Sequence, residues 1–500
     1  MGRLIAFCLA LCVATTLRAE TPSTPPLLAV YLSGSSVYSV RSFTYEFASS
    51  IGKPVTAVSL EALRAAIRAR YVSDGYVSPI ITIPPEELRS STPCLYVYEA
   101  RVAGIALKGD AGPYRERILA ELDLLHRSVL RKQALREVLG RIRELPGISA
   151  DLLLDPQPRT PNEFMLVLTT RYRPVGAELD TNNGGTRDLG RVLYAGSLSL
   201  NGLLGVGEQI RVQAAASSLG DRYQYLDGAF LRWFGGTQGF LEWQGTEAAP
   251  DPNVRFSDRA VTLGLRRALV NGSSGSLVLL GTVNGDNSVV HDATNTHLVD
   301  DRIRSVAVGL QYQASGATTQ TSMYSSVNRA VSALGAASSD TADSQVNVDF
   351  TRYLLGLTQS FSLGYSWSAR VSADAQVTSD VLPVVEKFAF GGLGLGEAFD
   401  PATLVGDSGV DLSAEIAHGW RPHFAALQTT SMFARADYGI AWNNASYLPR
   451  RDEAASVSLG VLARWPSLAG TVLLSTPVHQ PVYSSRADSL RALVSLAWML

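Results

Sequence analysis

From residue 175 to residue 500 the chain breaks into stretches of about ten residues whose apolar positions recur at every second place, and no other feature limits the possible folds so severely. One parity near residue 195 carries Val192, Tyr194, Gly196, Leu198 and Leu200, and the other carries Arg191, Ala195, Ser197, Ser199 and Asn201, with Leu193 as the exception. The split repeats as Ile210, Val212 and Ala214 against Gln209, Arg211 and Gln213. It returns as Val457, Leu459, Val461, Ala463 and Trp465 against Ser456, Ser458, Gly460 and Arg464, broken at Leu462. The chain is 46% hydrophobic and only 18% charged, yet past its N-terminus no run of about 18 apolar residues occurs, which excludes spanning helices. Dispersed apolar residues without spanning helices point to a transmembrane β-barrel. A soluble sandwich also alternates. Small and polar residues on one parity, with Trp233, Trp243, Tyr312, Trp442, Trp465 and Trp498 near segment ends, favour a wet lumen and an aromatic girdle. Connections are unequal: a tight turn at Pro466-Ser467 contrasts with long polar loops read at 286–301 and 330–343, as periplasmic turns and extracellular loops differ. The expected fold is mainly β, with about sixteen antiparallel strands. The last, 490–500, must close against the first or leave a lipid-exposed edge.

The N-terminal part reads differently. Residues 1–19, with Arg3 ahead of an apolar core, form a secretory signal peptide. Its removal takes Cys8 and Cys12 and leaves Cys94 alone, a small core residue in a strand. Residues 20–26 form a short segment, too short and proline-rich for a helix. Between 27 and 173 the pattern is α+β and repeats. The stretch 59–75 has Ser59 as cap, Leu60, Leu63, Ile67 and Val72 at helical spacing, and Gly75 at its exit. A strand at 76–83, with Pro79 placing it at an edge, stops at Pro84 and Pro85. Strands at 94–100 and 102–107 follow, then helices at 113–125 and 132–145, the latter striped by Leu135, Val138, Leu139 and Ile142, then strands at 149–154 and 164–172. Two modules of about 75 residues, 27–101 and 102–173, precede a barrel at 174–500.

Inside the barrel half, residues 388–415 interrupt the alternation with Gly391, Gly392, Gly394 and Gly396, an acidic turn at Asp400-Pro401, and Gly406-Asp407. Downstream, parity puts Arg435, Asp437 and Gly439 on one face of a strand and Ala434, Ala436, Tyr438, Ile440 and Trp442 on the other. The glycine run mimics a phosphate loop but lies in no βαβ unit. His291 and His297 share one polar loop, where solvation is a commoner fate than metal binding. A net charge of -2 with no basic stripe argues against nucleic-acid binding. No nucleophile, base and oxyanion set can be assembled, so no enzyme, cofactor or metal is expected.

Tyr71, Gly75, Tyr76, Val77 and Pro84 resemble the first POTRA domain motif of two-partner secretion transporters, the TpsB family, with Glu86 or Glu87 where that family usually has glutamine. RIRELPGISADLLLDP is similar to the second POTRA domain. Gly391-Gly392 followed by Gly396-Glu397-Ala398-Phe399 and Asp400 resembles the family's loop that folds back into the barrel at about 379–408, with Glu397 in the place of an arginine. Arg435-Ala436-Asp437-Tyr438-Gly439 resembles the lumen strand whose aspartate holds that arginine. Glu397 opposite Asp437 would be repulsive. Two readings stand: Arg435 pairs with Glu397 in a swapped lock, or Glu397 is solvated and glycine packing alone holds the loop. The resemblance implies a monomeric outer-membrane pore in membrane lipids. Periplasmic POTRA domains would capture an unfolded exoprotein and the loop would plug the lumen. The alternative it leaves is a barrel-assembly or insertase factor of the same superfamily. A plug helix ahead of the first module is not expected.

Overall fold

The computed structural model describes residues 24–126, 128–272, 275–294, 296–339, 345–422, 426–483 and 489–499. The signal peptide, residues 340–343 of the second polar loop and Leu500 lie outside the described residues. Two compact units emerge: one extends to Ile105 and takes in Leu125–Ala134 and Leu154–Leu166, the other holds Ala106–Leu124, Leu135–Leu153 and Val167–Leu500.

In the first unit a sheet runs Tyr31–Ser33, Cys94–Tyr98, Ile80–Thr82, its first pair parallel and its second antiparallel. The helix Ala57–Ser73 begins three residues earlier than its serine suggested, because Thr56 is the cap. Thr56 Oγ1 accepts the Ser59 N–H at 3.1 Å and Ser59 Oγ accepts the Thr56 N–H at 2.8 Å, a capping box that satisfies two donors. Leu60, Leu63, Ile67 and Tyr71 are buried against Ile81, Leu95 and Val97. Val72, expected in that stripe, is exposed, and Tyr71 fills the place. The strand expected at 76–83 shrinks to Ile80–Thr82 since the Val77 N–H is bonded to Leu130 O at 2.9 Å. Cys94 is only half-buried. A second sheet orders Arg101–Gly109, Glu163–Tyr172 and Ile148–Pro156, with helices at Arg115–Asp123 and Lys132–Arg143.

The barrel is closed, and its sixteen long strands run from Val175–Asn182 to Arg491–Met499, each antiparallel to its neighbours. Closure pairs Ser495 with Asn182 through Met499 with Glu178. A two-residue strand, Ala337–Ser338, adds onto Asp301 and Arg302. Tyr194, Leu198, Val212, Leu459, Val461 and Trp498 face outward and are exposed, whereas Asp227, Asp258, Asp411, Asp437, Ser456 and Ser458 on the opposite parity are buried. Residues 286–292 and 297–301 are strand and not loop: Gly275–Asp292 and His297–Ser315, 18 and 19 residues long, form one hairpin. At a rise of about 3.4 Å such strands run about 60 Å, so even tilted by about 40° they outreach a hydrocarbon band of about 25 Å. At the opposite end, the Tyr172 hydroxyl donates to Asn201 O, and a Cβ on Gly202 would lie 2.3 Å from the Tyr114 hydroxyl. The second module's tyrosines thus pack on the turn between the second and third strands. Among the described residues no helix is long and apolar enough to cross a membrane.

Candidate functional site

The strands Trp367–Val377 and Ser408–Trp420 pair directly, from Trp367 with His418 to Gln376 with Gly409. The thirty residues between them, 378–407, therefore leave the wall and must be housed elsewhere. They turn into the lumen through a 3-10 turn, Val384–Glu386, and a ribbon of Phe388–Phe390 against Leu404–Gly406. The root is tied down. Asp407, fully buried, accepts the N–H groups of Leu382 at 2.8 Å and Asn444 at 2.7 Å and sits 3.5 Å from Lys387 Nζ, while Arg352 pairs with Glu386.

The tip, 391–403, depends on glycine in two ways. Gly391 and Gly396 take φ of 115° and 70°, a region costly for any residue with a Cβ, and a Cβ on Gly391 would meet Asp400 O at 2.5 Å. On the wall, a Cβ on Gly439 would lie 2.4 Å from the Phe390 ring, and one on Gly409 2.0 Å from the Phe388 ring. Bare backbone on the lumen face is what lets the two rings lie flat. Phe388, Phe390, Ala398, Phe399 and Leu404 join Ala441 and Ala454 in one apolar cluster.

Glu397 is fully buried and ion-paired with Arg435 Nη1, and it accepts the Ser458 hydroxyl at 3.1 Å. Arg435 also holds Glu415, through Nη2 at 2.6 Å and Nε at 3.0 Å, and Nη1 reaches Gly394 O at 3.4 Å. The wall register makes this possible: Glu415 stands opposite Arg435, and Arg435 opposite Ser458. Asp437, two residues on and on the same face, is buried close to the Glu397 carboxylate and accepts the Ser456 hydroxyl at 3.5 Å. The structure therefore brings Gly391, Gly392, Gly396, Glu397, Ala398, Phe399, Asp400, Arg435, Asp437 and Gly439 into one docked constellation. Glu415, Ser458 and Arg491 belong to it and were not anticipated, whereas Asp407, read beside Gly406 in the sequence, ties down the root. Arg491, from the last strand, donates to Phe399 O and lies 3.2 Å from Asp400 Oδ1. Its signal was an arginine on the polar parity of an otherwise apolar terminal strand.

Tyr71, Gly75, Tyr76, Val77 and Pro84 serve the first module's own fold. Tyr71 is fully buried and its hydroxyl donates to Glu99 Oε1 at 2.8 Å. Burial pushes the Glu99 carboxyl up, but the Ser36 and Tyr71 hydroxyls and the N–H groups of Val37 and Ser36 outweigh it and hold it below its ordinary value. Gly75 ends the helix at φ 82°, the Arg131 guanidinium stacks 4.4 Å over the Tyr76 ring, and Pro84 leads into the 3-10 turn Pro85–Arg89. Glu87 accepts the Cys94 N–H at 3.0 Å. His291 and His297 stack edge to face across their hairpin, 4.5 Å between centroids. Among the described residues no group of three or more metal-ligand side chains forms.

A closed sixteen-stranded antiparallel barrel with an inward-folded loop, preceded by small α+β modules, defines an outer-membrane β-barrel of the POTRA-bearing class. Residues 245–463 match the family described as haemolysin secretion/activation protein ShlB/FhaC/HecB, and residues 26–99 match the POTRA domain of ShlB type. Over these two stretches the chain is similar to the ShlB/FhaC/HecB family and its POTRA domain. The heme/hemopexin transporter protein HuxB of Haemophilus influenzae strain 86-028NP is 22% identical over 203 residues, 39% of this chain. That alignment spans 36% of HuxB, little more than a third of its length. CdiB from Escherichia coli superposes with a TM-score of 0.78 at 18% identity over 97% of this chain and 92% of that one. CdiB from Acinetobacter baumannii gives 0.66 at 13% identity over 95% and 90%. Both share the fold.

Proposed function

We propose that the protein is an outer-membrane conduit that secretes a partner exoprotein, and that residues 379–408 are its plug. The carrying observation is the docked tip, whose buried Glu397 is held by a wall arginine that also holds Glu415. Residues 27–101 and 102–173 act as periplasmic POTRA domains ahead of the barrel at 174–500, on the side of the second-module contacts at Asn201 and Gly202. Their sheets offer strand edges at Tyr31–Ser33, Ile80–Thr82, Arg101–Gly109 and Ile148–Pro156, to which an unfolded cargo strand can add. Transport draws on folding of the cargo outside, where apolar burial makes return unfavourable. The protein works as a monomer and as a transporter, not an enzyme.

The test is single-channel conductance in planar bilayers, comparing the parent with a deletion of residues 391–403. A small, flickering parent current that becomes large and steady on deletion is expected. Equal currents would show that the tip does not obstruct the pore.

A further inference from the structure

The seam that closes the barrel is its shortest junction. First and last strands share five residue pairs, while each of them shares eight with its other neighbour. The five pairs take the C-terminal residues of both strands, from Ser495 with Asn182 to Met499 with Glu178. Beyond Asn182 one backbone bond remains, from the Asn183 N–H to Val494 O at 3.2 Å, and side chains carry the rest of the seam. Asn183 Oδ1 accepts the Val494 N–H at 2.7 Å and its Nδ2 donates to Ala492 O at 2.9 Å, so one amide stands in for a strand residue. Beyond it stands Arg491, only 7% exposed, the first residue of the last strand. Its Nη2 donates to Gly184 O and Gly185 O, each at 3.2 Å, on the chain leaving the first strand. The same guanidinium donates through Nη1 to Phe399 O and meets Asp400 at 3.2 Å, both on the plug tip. The planar fork of arginine allows one side chain to join three segments at once. A second contact is independent of it: Leu393 of the tip lies where a Cβ on Gly184 would come within 2.4 Å of Leu393 Cδ1.

From this geometry we infer that the docked plug tip is a structural member of the extracellular half of the barrel seam, joined to it by Arg491 as a positioning residue. Withdrawal of the tip removes the Phe399 carbonyl and the Asp400 carboxylate from Arg491 and the Leu393 side chain from Gly184. The seam then rests on five pairs, Asn183, and an Arg491 that keeps Gly184 and Gly185 but has lost its partners on the tip. Plug release and loosening of the wall between first and last strands are thus one event. The inference rests on the reading that the tip leaves the lumen.

Amide hydrogen exchange of the full chain in lipid nanodiscs tests it, comparing the parent, the 391–403 deletion and Arg491→Met, with conductance recorded on the same preparations. The expected result is exchange at Val494 and neighbouring amides at least tenfold faster in both variants, with the wall strands Thr429–Trp442 and Arg451–Arg464 unchanged. Unchanged exchange at Val494 on loop deletion overturns the inference, and because that variant keeps Arg491 it decides the matter even if Arg491→Met fails to insert. Acceleration on deletion but not in an inserted Arg491→Met overturns the role of the arginine. A seam that loosens on deletion without a rise in conductance would leave the seam coupling standing and remove the plug reading. The reverse pair of results would do the opposite.

Discussion

Replacing Arg435 with methionine puts the plug lock to its most direct test. The side chains of Glu397, Glu415 and Arg435 are 1%, 17% and 18% exposed, so the cation and both acids are largely cut off from water. Removing one partner of such a buried pair costs about 3–5 kcal/mol, because the abandoned charge stays desolvated. The partial exposure of Arg435 and Glu415 argues for the lower end, and about 3 kcal/mol is somewhat more than a hundredfold in an equilibrium. Glu397 and Asp437 belong to different segments, so only undocking separates Glu397 from the wall carboxylates, and the loss falls on the docked state. If the parent tip is docked in a ratio of about 99:1, a loss of that size leaves it docked about half the time. Single-channel records of Arg435→Met should then divide their time between the parent level and the level of the 391–403 deletion. Glu397→Gln keeps a polar partner for Ser458 and leaves Arg435 with Glu415, so it should open the pore less, by roughly tenfold for about 1.4 kcal/mol. A correctly inserted Arg435→Met with the parent's current histogram would refute the reasoning. So would Glu397→Gln opening the pore more than Arg435→Met.

Two further outcomes follow from particular contacts. Gly439→Ala drives a Cβ to 2.4 Å from the Phe390 ring and should free the tip, raising open time about tenfold. In combination with Phe390→Ala the two effects should be strongly non-additive, because the clash needs the ring, and additive open times would remove that contact from the account. In the first module, Glu99 is held below its ordinary value, and a depressed carboxyl gives stability that is present above its unfolded value of about 4.3 and lost as pH falls through the folded one. The helical signal of the full chain should therefore melt at a lower temperature as the pH drops below about 4, and Glu99→Gln should flatten that dependence. A parent midpoint independent of pH in that window would contradict the network.

Period-two alternation made the barrel readable because lipid outside and water inside impose opposite demands on successive residues. The same cause hid the hairpin of Gly275–Asp292 and His297–Ser315: once the strands rise out of the membrane both faces are wet, and residues 286–291 and 297–301 turn polar without leaving the ladder. Parity alone placed Arg435, Asp437 and Gly439 on one face. It could not supply Glu415 or Ser458, whose meeting with Arg435 is set by the register of three strands, a non-local quantity. Arg491 stands on the sparser polar parity of a strand dominated by its apolar one, and its role depends on where the plug tip lands. Thr56 and Ser59 show the same limit on a smaller scale. Both hydroxyls suit a cap, and only the reciprocal bonds tell which residue begins the helix.

The composition of the lock has a physical logic of its own. The rings of Phe388, Phe390 and Phe399 with Leu404 form a cluster against Ala441 and Ala454, and burying each such side chain is worth about 1.5–3 kcal/mol. More apolar contacts of that kind would fix the loop for good, since nothing on the way through a wet pore competes for them. A buried ion pair behaves differently: its desolvation cost nearly cancels its attraction, so it adds little net stability while penalising every misplaced geometry. Setting Glu397 against Arg435, with Glu415 already paired to that arginine in the wall, makes docking specific without making it deep. When the tip leaves, Arg435 keeps Glu415 and is not stranded, whereas Glu397 regains water. The swapped charges thus place the cation on the rigid wall and the removable acid on the loop, so that the undocked barrel holds no orphaned arginine whose unpaired charge would pull the tip back.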